Sequence, residues 1–275
     1  MSVERPDRFE LLLFSTEREF VVEAAAAGID GIIVDWEVAG KERRQAGADT
    51  EINHDTLEDL ERVRSWVDIP VLCRINSPGP MSERELERAI GAGADEVLVP
   101  MARSAGELER IVDAARGRCG VGALIETVDA VQKVQEFARL PLSRLYVGLN
   151  DLAIDRRNAS IFSALVDGTV ERVSLALGGS FGFGGLTDPE RGHPIPCRLL
   201  IGEMARLGSS FSFLRRSYRR DVDGEGQAPL IARLRSALSK ACARTELEVD
   251  RDRLELAEAV AAWPGCAPLQ ARTLG

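Results

Sequence analysis

Two carboxylates stand where apolar runs give out. In GALIETVDA (122–130) the run stops at Glu126, and in YVGLNDLAID (146–155) the acid is Asp151, 25 residues on. An acid just past a buried strand either caps the next helix, whose free N–H groups favour negative charge, or belongs to a site. Two such acids brought side by side need a counter-charge, because like charges in contact resist joint ionisation. A divalent cation supplies one. Two carboxylates, with the remaining positions left to water and substrate, are the habit of Mg2+, or of Mn2+ in the same place. No His and Cys cluster of the kind that favours zinc is present.

Other polar residues stand at comparable points. Asp35 and Glu37 close the run GIIVDWE, and Arg74, Asn76 and Ser77 close VLCRINS. Arg74 has two readings: an inward ion pair with Asp35 or Glu37, or a forked donor to a substrate carboxylate or a developing enolate oxygen. A metal held by two acids, with an arginine beside it, suits a 2-oxo acid, whose carboxylate and keto oxygen chelate the ion.

Such residues meet only if the chain brings strand ends together. Short apolar runs recur at 10–15, 31–36, 70–76, 96–100, 120–126, 144–149, 181–185 and 210–215. They lack strict alternation, as parallel strands covered on both faces do. Helical patterns lie between them, at 17–28, 55–66, 82–92, 104–116, 127–138, 161–177 and 192–207. Ser82-Glu83-Arg84-Glu85 resembles a capping box, Thr56 precedes an acidic turn, and AAAAGIDG, AIGAGADE and MARLGSS read as glycine stops. Eight strand–helix units predict an α/β fold, a (β/α)8 TIM barrel over 1–225, with a helical extension of the same domain over 226–275. The alternative, an open doubly wound sheet, usually has a glycine-rich turn after its first strand, and STEREF has none. In a barrel the strand ends converge on one mouth, which gathers Asp35, Glu37, Arg74, Glu126 and Asp151.

Composition sets the outer bounds. With 45% hydrophobic residues among 275, the chain can build a large core without disulfides, and its five scattered cysteines form no C-x-x-C pair. They read as reduced thiols of a cytoplasmic protein. The start MSVERPDRFE has no apolar signal core, and no run approaches the about 18 apolar residues of a membrane span. A net charge of −9 argues against nucleic acid or anionic membrane as a partner.

Taken together, DGIIVDWE, VLCRINS, GADEVLVPMARSAGELERIV, ALIET and VGLNDLAID resemble the HpcH/HpaI aldolase and citrate lyase β-subunit family, over about residues 10–215. The resemblance implies a metal-dependent barrel enzyme with Glu126 and Asp151 on Mg2+. It further implies Arg74 on the 2-oxo acid or acyl group, and Asp35 and Glu37 around the metal's waters. It also implies a homo-oligomer, trimer or hexamer. The expected activity is a Mg2+-dependent carbon–carbon lyase or aldolase acting on a small 2-oxo or hydroxy acid. Asn76 is expected to help bind that substrate.

The chain departs from the family in places. RFELLLFSTERE stands where the citrate-lyase branch has a stretch that helps hold coenzyme A, and nothing matches the His-Asp pair of the aldolase branch. His54 reads as a surface or capping residue, and His193, with Pro194 and Pro196, as a helix start. Gly182, Gly184 and Gly185, with Arg215 and Arg216, fall after strands seven and eight, where barrels commonly hold phosphate. Gly184, Gly185 and Arg215 are therefore candidate substrate contacts, the alternative being turn glycines and a solvated arginine. That corner also keeps open a phosphoenolpyruvate- or phosphate-substrate transferase or mutase, and a non-catalytic binding subunit is a third reading.

Overall fold

A computed structural model of the chain describes residues 8–38, 55–158, 160–178, 181–222 and 224–263. Eight strands close into a parallel barrel in chain order. They are β1 (Glu10–Phe14), β2 (Gly31–Asp35), β3 (Val71–Arg74), β4 (Glu96–Val99), β5 (Gly120–Ile125), β6 (Arg144–Val147), β7 (Phe181–Leu186) and β8 (Phe211–Leu214). Closure is sealed where Glu10 of β1 lies opposite Phe211 of β8. The apolar runs of the sequence are thus parallel strands, and each ends within two residues of the expected place.

Alternation along the strands sorts side chains into layers. Leu12, Ile33, Leu72, Leu98, Leu124, Tyr146, Phe211 and Phe213 fill the barrel interior, with Phe14 against them. The intervening residues face the helices and join the larger outer core. Following the inner row one step further toward the strand C-termini leads from Ile33 to Asp35, from Leu72 to Arg74, from Leu124 to Glu126 and from Phe213 to Arg215. The sequence of these four strands therefore lifts a polar side chain onto a hydrophobic floor.

The outer helices among the described residues are α1 (Arg18–Ala27), α2 (Leu57–Trp66), α3 (Ser82–Gly91), α4 (Ala105–Ala115), α5 (Val128–Gln132), α6 (Val134–Phe137), α7 (Leu149–Asp155), α8 (Ser163–Val166), α9 (Thr169–Leu177), α10 (Cys197–Leu207), α11 (Arg216–Val222), α12 (Gln227–Cys242) and α13 (Glu246–Ala262). Thr56 and Asp59 form the capping box of α2, and Gly28 and Gly208 end α1 and α10 in the left-handed region. The box expected at Ser82–Glu85 is absent. Met81 is the N-cap of α3, the Ser82 hydroxyl accepts from Gly79 N–H, and Glu85 binds Asn76 instead.

Three expected helices are also altered. The span 127–138 is two short helices, α5 and α6. The span 161–177 breaks at Asp167-Gly168, where the Asp167 carboxylate accepts from Thr169 N–H and Gly168 takes φ 80°. Helix α10 begins only at Cys197, because Pro194 and Pro196 each disfavour helix in the residue before them. The His193 ring sits edge-on to Trp263, 4.9 Å away. Past the barrel, α12 packs on α1 and α10, and α13 packs on α10. The described cysteines (Cys73, Cys119, Cys197, Cys242) are free thiols. Among the described residues no helix is long and apolar enough to cross a membrane.

Candidate active site

The mouth at the strand C-termini is built on two buried acid groups. Asp35, at the end of β2, is 0% exposed and receives Arg74 as a fork, with Nε at 2.9 Å from Oδ1 and Nη2 at 2.8 Å from Oδ2. The same Nε lies 3.4 Å from Glu37, which is 1% exposed. The guanidinium rests over the Phe14 ring, 4.9 Å from its centroid. Burial works against its charge, but Asp35, Glu37 and Glu126 overcome that and hold the Arg74 proton more tightly than usual. The inward ion pair of Arg74 is therefore formed, and its Nε–Nη2 edge is engaged with Asp35.

Asp55 supports this pair from behind and was not singled out in the sequence. Its carboxylate accepts from Asp35 N–H at 2.8 Å and from the Thr16 hydroxyl at 3.2 Å. Burial pushes its carboxyl pKa above the ordinary carboxylate value. It stands just before α2, where nothing in the local pattern distinguishes it from a helix-start acid. Asn76 lies in the loop after β3, and its side chain bridges Glu85 of α3 (Nδ2 to Oε1, 2.8 Å) and Val38 N–H (3.0 Å to Oδ1). That amide joins two loops of the mouth. His54 lies outside the described residues.

Glu126 follows β5 and is 2% exposed. It is not a helix cap, since α5 is capped by the Thr127 hydroxyl, which accepts from Ala130 N–H at 3.0 Å. The Glu126 carboxylate turns inward instead and accepts from Met101 N–H at 2.8 Å, a residue held at φ 56°. Gly148, on the neighbouring strand exit, makes this possible: a Cβ there would lie 2.5 Å from Glu126 Oε2. Asp151, 8% exposed, lies in the first turn of α7, whose N-cap Gly148 has no capping side chain. Burial, then Asp151, then Glu37 push the Glu126 carboxyl up to about 8, against Arg74 and the Met101 N–H. Tyr146 below it is also pushed up by burial. The two acids are thus neighbours whose charges oppose one another.

Among the described residues no group of three or more His, Cys, Asp and Glu side chains is arranged to hold a metal ion by itself. The acids that could serve as donors are the carboxylates of Glu126 and Asp151, with Glu37 close enough to press on Glu126. Carboxylate oxygens are the hard donors that Mg2+ takes together with its waters, and this pair has none of the imidazole or thiolate donors usual at zinc sites.

On the far wall, β7 bulges between Gly182 and Gly185, with Gly184 at φ 65°. Arg215, just past β8, donates from Nε to the Gly185 carbonyl at 2.8 Å. A Cβ on Gly185 would lie 2.8 Å from Arg215 Cγ, so that glycine seats the arginine stem. Gly184 serves the turn, with Met204 3.3 Å from where its Cβ would be.

Neither a protein-family model nor a curated protein sequence matches the chain. Solved structures do. RipC from Yersinia pestis superposes with a TM-score of 0.57 at 17% identity, over 88% of this chain and 98% of that one. The citrate synthase SbnG gives a TM-score of 0.54 at 20% identity, over 85% of this chain and 94% of that one. At such identities the likeness is one of fold: the chain shares its barrel with these proteins.

Proposed function

We propose that the chain is a Mg2+-dependent carbon–carbon lyase or aldolase acting on a small 2-oxo or hydroxy acid, with an enolate of the pyruvate or oxaloacetate kind. The observation that carries this reading is the opposed pair Glu126 and Asp151, buried in a barrel mouth and set beside Arg74. Burying repelling carboxylates costs stability unless a cation joins them.

In this reading Glu126 and Asp151 hold the ion. When bound, it supplies positive charge against the carboxylate and the 2-oxo oxygen of the substrate. Asp35 fixes the guanidinium of Arg74 by its Nε–Nη2 edge, so the charge sits in one place before substrate arrives. Arg74 then stabilises the oxygen on which negative charge develops as the bond beside the carbonyl breaks or forms. With an ion bound, Asp35 and Glu37 would orient water beside it, and the hydrophobic floor of Tyr146 and Phe213, with ring centroids 3.8 Å apart, keeps bulk water from below. The shared barrel with a citrate synthase supports this class. Oligomer formation is part of the proposal, as the relatives implied by the sequence form trimers or hexamers.

The test is turnover of 2-oxo and 3-hydroxy acids by Glu126→Gln and Asp151→Asn variants, with calorimetric Mg2+ titration alongside. Both variants should lose metal-dependent turnover and Mg2+ binding while keeping their melting temperature. Full activity in either one overturns the metal assignment.

A further inference from the structure

The mouth contains a second cation whose surroundings differ from those of Arg74. Among the described residues, the deeply set arginines Arg74, Arg144, Arg206 and Arg244 each pair with a carboxylate. Arg215 does not. Its Nε bonds a backbone carbonyl, and its Nη2 is buried without a hydrogen-bond partner. The acid whose field reaches it, Asp221, is itself engaged by Arg191 at 3.1 Å and by the Thr187 hydroxyl. Two residues on, the Ser217 hydroxyl is also buried and unpartnered. A buried guanidinium without a counter-ion is costly, and burial correspondingly lowers its hold on the proton.

The position has a direction. Phe211 and Phe213 face the barrel interior, so alternation places Arg215 on the same inner row, one step above Phe213 and at the mouth. Around the closed barrel β8 is three strands from β3, which presents Arg74, and three from β5, which presents Glu126. Gly185 both accepts from Nε and leaves room for the stem, so the guanidinium is held before any ligand arrives.

We propose that Arg215 is the anchor of a second anion subsite in this mouth. The substrate accordingly carries a second carboxylate, on the carbon fragment remote from its 2-oxo end. This rests on the reading of the mouth given above for the 2-oxo end, and narrows the substrate class to dicarboxylic 2-oxo or hydroxy acids.

The experiment is calorimetric titration of the full chain with Mg2+ present, using oxaloacetate against 2-oxobutanoate and 2-oxoglutarate against 2-oxopentanoate. Each pair differs in one terminal carboxylate replaced by methyl. The wild type should favour the diacid of at least one pair by on the order of tenfold or more, as a charge-assisted bond implies. Arg215→Met should lose that preference while Arg215→Lys keeps part of it, and Asp151→Asn should weaken both members of a pair together. Because Arg215→Met removes an uncompensated buried charge, its melting temperature should hold or rise. No diacid preference in the wild type, or an equal loss of both acids in Arg215→Met, overturns the proposal. If no 2-oxo acid binds with Mg2+, the metal reading fails first. The subsite is then judged on succinate and glutarate with the metal-free protein: binding lost in Arg215→Met upholds it, and no binding overturns it.

Discussion

At the N-terminal end of the strands, Arg144 of β6 lies between Glu96 of β4 and Glu10 of β1, with Nε 2.8 Å from both Glu96 oxygens and Nη1 2.8 Å from Glu10. Ser143 adds a hydroxyl to Glu96 at 2.7 Å, and the guanidinium lies over the Phe211 ring. At the C-terminal end, Glu126 is pressed by Asp151 and Glu37, and the Arg215 Nη2 has no partner. Both ends bury charge above or below the same hydrophobic floor. The base closes its ion cluster on itself, so it needs nothing further to be stable. At the mouth Asp151 and Glu37 press on Glu126, and the Arg215 Nη2 is left without a hydrogen-bond partner, as the proposed site requires.

The sharpest break of that comparison is to remove one partner at each end. Glu96→Ala leaves Arg144 only the more exposed Glu10 and should cost up to about 3–5 kcal/mol of stability, as the loss of one member of a buried pair does. Glu126→Gln at the mouth should leave the metal-free protein as stable as before, or more so, since it relieves repulsion. Urea unfolding of the two variants reads the difference. Equal destabilisation of both would make Glu126 a structural acid and remove the contrast.

Two glycines give a subtler version. Each lies under an acid: a Cβ on Gly122 would be 2.6 Å from Glu96 Oε1 and 2.8 Å from Arg144 Cγ, and one on Gly148 would be 2.5 Å from Glu126 Oε2. Overpacking of this kind costs about 1–3 kcal/mol. Gly122→Ala should lower the melting temperature and leave Mg2+ affinity near that of the wild type. Gly148→Ala should weaken Mg2+ binding more than it lowers the melting temperature. The opposite pattern, with Gly148→Ala purely destabilising, would mean that Glu126 is placed for packing.

The barrel was legible from apolar runs because parallel strands are short, uniformly buried and separated by helices whose caps leave local marks such as Thr56 and Gly28. Helix α7 was not, since LNDLAID is too short to display a 3.6-residue period. The site was legible to the extent that strand-end acids announce themselves. What escaped were relations between distant segments. That Asp55 holds the Asp35 backbone, that Asn76 bridges Glu85 and Val38, and that Gly148 makes room for Glu126 all depend on contacts across loops. No local spacing encodes these. Arg74 showed both readings in sequence, the inward ion pair and the donor to substrate, and the fork onto Asp35 shows the first of them to be formed.

The gentlest probe of the two ends is pH. In the metal-free fold burial, Asp151 and Glu37 raise the Glu126 carboxyl to about 8, whereas an unfolded chain returns it to its ordinary value. Between those values the folded state holds a proton that the unfolded state has released. Stability is therefore greatest in acid and falls as pH rises toward and through 8, by at most about 1.4 kcal/mol per pH unit for this one proton. Burial also raises Asp55 and Glu96, so the raw profile mixes several groups. The difference between wild type and Glu126→Gln isolates the one at the mouth, because the variant has no proton to lose. That difference should be small below the ordinary carboxylate value of about 4.5, grow as pH rises from there to about 8, and level off above it in the absence of metal. With Mg2+ present it should reverse, since an ion between Glu126 and Asp151 favours the charged form and only the wild type can bind it. Denaturant midpoints from pH 5 to 9, with and without Mg2+, measure both limbs. Parallel profiles for wild type and variant would show Glu126 to be as settled in the fold as Glu96 is at the base.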